Sequence, residues 1–216
     1  NAPAAWATGA TGRGAVIAII DSGVDTFHPD LENKMVLPRG MRCTWVADQL
    51  GHGTHVAGVA AATTDNGRGI AGVAPDAKIM PFGEQAFAPE RITLAVDSGA
   101  DVINMSWTSL PLSPIDPLHP DLVEALDYAW EKGVVLVGAA GNDRLPHCEH
   151  PASLPQVICV AGTDSRGLPS HFSNQPSKIE GVTLRAPAGA NLGGCDTGED
   201  VWSTILPGST FESCRR

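Results

Sequence analysis

Ala15-Val16-Ile17-Ala18-Ile19-Ile20-Asp21-Ser22-Gly23 is a wholly apolar run of strand length that stops on an acidic residue and a turn glycine. A β-branched run without polar alternation suits a strand buried on both faces, as in parallel sheets covered by helices. Runs of the same kind recur at 101–105, 134–139, 157–161 and 182–186. Between them lie helical patterns, clearest at 121–132, where Leu122, Val123, Leu126, Ala129 and Trp130 share a face and Gly133 ends the helix. Strands alternating with helices predict an α/β fold on a parallel sheet.

The chain has 216 residues, 43% of them hydrophobic, the size and composition of one domain with a sizeable core. Twenty-four acidic against fourteen basic residues leave a net charge of −10, which repels phosphate backbones and anionic membrane surfaces. The expected partners therefore exclude nucleic acid and membrane. No apolar run approaches the ~20 residues that cross a bilayer, and Asn1–Thr8 lacks the charged-then-apolar pattern of a leader. A first residue other than Met suggests that an upstream segment was removed. Of the five cysteines, Cys159 lies in an apolar run and reads as a small buried hydrophobe. Cys148 and Cys195 lie in polar loops and are candidates for a disulfide. The proline-rich stretch 111–120 and the stretch 143–151 read as loops.

In parallel α/β sheets, ligands gather at the carboxyl ends of strands. Asp21-Ser22-Gly23 follows the first run, Ser106 follows 101–105, and Gly141-Asn142 follows the run from Val134. Thirty-one positions after Asp21 comes Gly51-His52-Gly53-Thr54-His55-Val56-Ala57-Gly58, which predicts a helix with His52 in its first turn. The positive end of a helix favours neutral imidazole, whereas a buried carboxylate favours imidazolium. A histidine held between these influences is equipped to be a general base. His55, one turn away, reads as structural.

Ile17-Ala18-Ile19-Ile20-Asp21-Ser22-Gly23-Val24-Asp25, His28-Pro29-Asp30-Leu31, the segment 51–58, Ile103-Asn104-Met105-Ser106 and Ala139-Ala140-Gly141-Asn142 occur in this order. In order and spacing they resemble the subtilisin-like serine proteases, from about Ala4 to about Ser209. The resemblance implies a three-layer α/β domain, with the parallel sheet flanked by helices on both faces, that hydrolyses peptide bonds in polypeptide substrates. It implies that Asp21 orients His52, that His52 relays the nucleophile's proton, and that the Asn142 amide steadies the oxyanion. Ser106, Trp107 and Thr108, with Ala139 and Gly141, would bind the substrate. It further implies a structural calcium site in the polar bulge Thr63–Ile70, interrupting the histidine helix. The ligands would be the carbonyls of Thr63, Arg68 and Ile70, the Asn66 side chain and Asp30. Secretion is the expected localisation.

The chain departs from the family in lacking a Gly-Thr-Ser-Met-Ala-like nucleophile motif. Val201–Gly208 resembles the stretch just upstream of that motif. The expectation is a single, incomplete peptidase domain over 1–216, with its C-terminal part missing and its own C-terminal segment or propeptide as a partner. The alternative is an inactive relative that binds peptide segments. Cys214 and Ser213 are expected not to serve as nucleophiles, which need a following helix to place them. Pro81-Phe82-Gly83-Glu84-Gln85 stands where the family has a regular strand, and Gly193–Asp200 reads as an insertion. His147-Cys148-Glu149-His150 has zinc-ligand residue types but reads as an irregular loop.

Overall fold

A computed structural model describes residues 2–83, 89–108, 120–176, 183–190 and 201–209. Cys195, Cys214, Ser213, Glu84, Gln85, most of the proline-rich stretch and the insertion 193–200 lie outside the described residues. The strands form an all-parallel sheet with flanking helices, in the order β2-β1-β3-β4-β5-β6. The order reverses at β1, so the carboxyl end of that strand is the switch point where open α/β sheets place their ligands. The chain forms two compact units, residues 1–103 with 202–216, and residues 104–201.

In the first unit a short helix α1 (Ala2–Trp6) precedes β1 (Val16–Ile20). Helix α2 (His52–Ala61) follows, then β2 (Lys78–Phe82) and α3 (Pro89–Asp97). β1 pairs with β2 in parallel from Val16↔Lys78 to Ile20↔Phe82. Pro81 is thus part of a regular strand, at the sheet edge, where a missing N–H is tolerated. The buried face of α2 is Gly53, Thr54, Ala57, Gly58 and Ala61. Such small side chains let its axis approach the sheet, and Ile19, Val24, Leu31 and Ile79 complete the core around Ala57 and Ala61. α2 stops at Ala61 and no helix resumes before β2. The polar stretch 63–70 therefore follows the histidine helix instead of interrupting it, since the backbone turns away at Ala62, in extended conformation.

β3 (Val102–Met105) spans the boundary of the units. The second unit continues with α4 (Pro120–Glu131), β4 (Val135–Ala139), β5 (Val157–Thr163) and β6 (Thr183–Pro187). β4 pairs with β5 and β5 with β6, both in parallel. The buried stripe of α4 is Leu122, Ala125, Leu126 and Ala129, while Trp130 is 59% exposed. At about 100° per residue, Trp130 stands a quarter turn from the centre of that stripe, so Ala125 takes the place the sequence reading gave to it. Gly133, at φ 79°, ends the helix as expected. Double-sided burial holds for β1, whereas Val135 of β4 and Leu184 of β6 are exposed, the latter on the edge strand.

The cysteine reading is corrected. Cys159 is not a lone hydrophobe: it forms a disulfide with Cys148, tying β5 to the 143–151 loop. Adjacent β-strand and loop residues were separable in sequence but not in space.

Candidate active site

In the first unit, Asp21 closes β1, with its N–H on the Phe82 carbonyl (3.4 Å) and its side chain 4% exposed. Asp21 Oδ1 accepts the Ser22 N–H (2.7 Å) and pairs with His52 Nδ1 at 2.7 Å. This contact exists because Gly53 carries no side chain. A Cβ there would overlap the Gly23 carbonyl and crowd Asp21, holding the start of α2 away from the β1 turn. The His52 side chain is 42% exposed, so its carboxylate-facing edge is sheltered while the rest of the ring reaches solvent. Its pKa is raised: the hydrogen bond to Asp21 dominates, burial opposes it, and the charges of Asp21 and Asp48 add to the increase. The hydrogen bond to the carboxylate thus outweighs burial in setting that direction.

Asp48 was not singled out from sequence, yet it fastens this site. Its Oδ1 accepts from Ser22 Oγ (2.8 Å), Leu50 N (3.0 Å) and Gly51 N (2.9 Å), and its Oδ2 from Thr54 N (2.9 Å) and Thr54 Oγ1 (2.6 Å). Burial pushes its carboxyl up, but the bonds from Thr54, Gly51 and Ser22 outweigh that and hold it below the usual value. Gly53 N donates to Ser22 Oγ (2.9 Å), so Ser22 couples the β1 turn to Asp48 and to α2. An acid four residues before a helical histidine was the available signal, since acids favour helix N-termini.

Later in the chain, Ser203 Oγ donates to the His55 carbonyl (2.5 Å) and Thr204 Oγ1 to that of Thr54 (2.6 Å). These bonds lay the segment after Trp202 along α2, over Gly58, where a Cβ would collide with both side chains.

Residues named for the expected cation site also lie in this unit, where their N–H groups meet Asp30 and Asn66. Asp30 is 1% exposed; its Oδ1 accepts from Asn66 Nδ2 (2.5 Å) and its Oδ2 from Ile70 N (3.0 Å). The Thr63 N–H reaches the Asp30 carbonyl (3.1 Å), and Arg68 N reaches Asn66 Oδ1 (3.1 Å). Gly69 leaves a cradle beside Asp30 Oδ2 that a Cβ would fill. Both side-chain oxygens of Asp30 and the Asn66 Oδ1 thus accept from nitrogen donors of this loop, with Asp30 as the full negative charge among them.

In the second unit, Asn142 follows β4 through Ala140 and Gly141 and is exposed. Asn174, buried completely, locks this turn. Its Oδ1 accepts from Asp143 N (3.0 Å) and Leu145 N (2.8 Å), its Nδ2 donates to the Ala140 carbonyl (2.9 Å), and its N–H donates to that of Gly141 (2.9 Å). Nothing in the sequence near Asn174 signals this. Ser106, Trp107 and Thr108 are half-buried in irregular backbone after β3, with Ser106 Oγ accepting from Asn104 Nδ2 (2.9 Å). Ala139, also half-buried, is the last residue of β4.

A parallel sheet whose reversal strand ends on a buried carboxylate bound to a histidine places a candidate acid–base pair at the ligand-binding edge of the sheet. Residues 12–214 match the subtilase family, peptidase S8. Thermitase of Thermoactinomyces vulgaris is 40% identical over 223 residues, covering 99% of this chain and 72% of thermitase. Fervidolysin of Fervidobacterium pennivorans is 38% identical over 216 residues, covering 88% of this chain and 29% of fervidolysin. Subtilisin E of Bacillus subtilis is 32% identical over 226 residues, covering 98% and 53% respectively. The chain belongs to the subtilase family of serine proteases, and it spans from under a third to under three quarters of the length of these relatives.

Proposed function

We propose that this chain carries the acid–base and oxyanion groups of a serine endopeptidase that cleaves peptide bonds in polypeptides, with the nucleophile outside these 216 residues. The observation that carries the reading is the 2.7 Å pair between buried Asp21 and half-exposed His52. Asp21 fixes the tautomer with hydrogen on Nδ1, so Nε2 accepts the hydroxyl proton as the nucleophile attacks the carbonyl carbon. The same proton is returned to the departing amine nitrogen as the C–N bond breaks. Asn142 donates its amide to the oxyanion formed in between, and the bonds made by Asn174 hold its turn rigid for that purpose. Ser106–Thr108, Ala139 and Gly141 form the substrate-binding backbone. The packing of Ser203 and Thr204 on α2 supports a route by which a following segment brings a serine towards His52.

The absence of a Gly-Thr-Ser motif from the sequence favours one second reading, a catalytically inactive binder of peptide segments. Casein turnover separates the two. The chain joined by a subtilase C-terminal segment bearing Gly-Thr-Ser should hydrolyse casein and be blocked by a fluorophosphonate, whereas the chain by itself should not. Casein binding without turnover in both preparations would establish the second reading.

Asp30, Asn66 and the carbonyls of Thr63, Arg68 and Ile70 would hold calcium, which would supply charge compensation for Asp30 and pin the loop. Chelation with EGTA should lower the melting temperature of the chain, and Asp30→Asn should remove that response; an unchanged melt would sink the proposal. Secretion is supported by the Cys148–Cys159 disulfide, which persists in oxidising compartments.

A further inference from the structure

Glu149 is a buried charge-bearing group that the mechanism above leaves unused. It follows Cys148 of the disulfide, its N–H is fixed on the Ala140 carbonyl (3.0 Å), and its side chain is 3% exposed. Both carboxylate oxygens are buried and neither has a well-formed hydrogen-bond partner among the described residues, although the Thr108 hydroxyl and the Asp143 carboxyl stand close enough to bear on its titration. The carboxylate lies against the backbone of Gly141, where an added Cβ would overlap Oε2, one residue before Asn142. Burial pushes the Glu149 carboxyl up, the negative charge of Asp143 adds to this, and the Thr108 hydroxyl and His147 oppose it.

A buried carboxyl is costly unless its oxygens are paired. Sharing a proton with Asp143 would leave the two acids with net negative charge and unused acceptor sites. The missing partner is therefore a cation that brings its own hydrogen-bond donors. A metal ion is a poor match: Cys148 is consumed by its disulfide, and no cluster of three His, Cys, Asp or Glu side chains occurs among the described residues. A guanidinium or ammonium matches, because it meets one or both oxygens directly without further ligands. Gly141 and Thr108 border the carboxylate and are also among the residues assigned to substrate, so the cation is expected on the substrate.

We propose that Glu149, seconded by Asp143, selects polypeptide substrates carrying lysine or arginine at the residue whose carbonyl is polarised by Asn142. This deepens the peptidase reading and rests on the oxyanion role of Asn142. The positive side chain runs past Gly141, whose lack of a Cβ leaves the space, and ends on the Glu149 carboxylate.

The test uses binding, which needs no nucleophile. Fluorescein-labelled Ala-Ala-Pro-Arg-amide and its norleucine counterpart are titrated with the folded chain at pH 8 and followed by anisotropy. The arginine peptide should bind at least tenfold more tightly, and Glu149→Gln should bring the ratio to within twofold of unity, with a melt confirming that the variant is folded. In the unmutated chain the preference should fade as pH is lowered through the titration of Glu149, with Asp143 and His147 as the facing groups. This second measurement stands even if the variant fails to fold. Equal binding of both peptides by the unmutated chain, or a preference that survives Glu149→Gln or is flat with pH, overturns the charge selection but leaves the peptide reading intact. Binding of neither peptide overturns both.

Discussion

Replacing Asp48 by alanine removes one carboxylate and strands donors from four residues at once. The Gly51 N–H and the Thr54 N–H and hydroxyl are buried and would lose their acceptor; Ser22 and Leu50 can turn to water. A buried donor left unpaired costs about 1–3 kcal/mol, and loss of a helix cap about 1 kcal/mol. The terms overlap, and water can enter at a side chain that is 8% exposed. A loss of about 4 kcal/mol is the working figure, equivalent to a melting temperature lower by roughly 8–16 °C for a chain of this size. Asp48→Asn retains an acceptor oxygen and should lose about half as much. The carboxyl of Asp48 is held below its reference value of 3.8, so its stabilisation is present above that pH and is lost as pH falls through the lower folded value. The gap between the parent and Asp48→Ala melts, followed by far-UV circular dichroism, should therefore be full at pH 7 and shrink in strong acid. A gap below about 2 °C at pH 7, or one that widens in acid, would refute this account of how the start of α2 is held.

Asn174→Ala should free the Asp143 and Leu145 amides, raising their hydrogen-exchange rates by an order of magnitude or more; unchanged protection would show that the turn is held otherwise. Reducing the Cys148–Cys159 bond, which closes a loop of 11-residue separation, should cost about 3 kcal/mol and lower the melt by roughly 6–12 °C, whereas a melt indifferent to reductant would contradict the pairing.

Much of the framework was legible because it is written in local pattern. The run ending at Ile20 and the small-residue face of α2 declare a buried strand and a close-packed helix within a few residues each. Asp21, His52 and Asn142 were legible because each stands at the end of such an element. Asp48, Glu149 and Asn174 were not, since their importance lies in distances: Asp48 meets Ser22 across 26 positions, and Asn174 meets Asp143 across 31. Burial of a polar side chain leaves no periodic trace. The disulfide was misread for a related reason, because apolar neighbours made Cys159 look self-sufficient while its partner sat in a loop whose path sequence does not give. The bonds from Asn66 Nδ2 and Ile70 N to Asp30 likewise span long stretches of chain, and the end of α2 at Ala61 depended on how the chain turns into β2.

The central claim is that Asp21 makes His52 a poised base, and titration of the His52 ring by NMR tests it most directly. With Asp21 in place, the His52 pKa should lie above its reference value of 6.5. In Asp21→Asn the hydrogen bond and charge of Asp21 are gone while burial, which outweighs the remaining charge of Asp48, persists, so the pKa should fall to 6.5 or below. The stabilisation lent by the pair should correspondingly be full below pH 6.5 and vanish as pH rises through the folded value. A His52 pKa that is the same in both proteins would contradict the account.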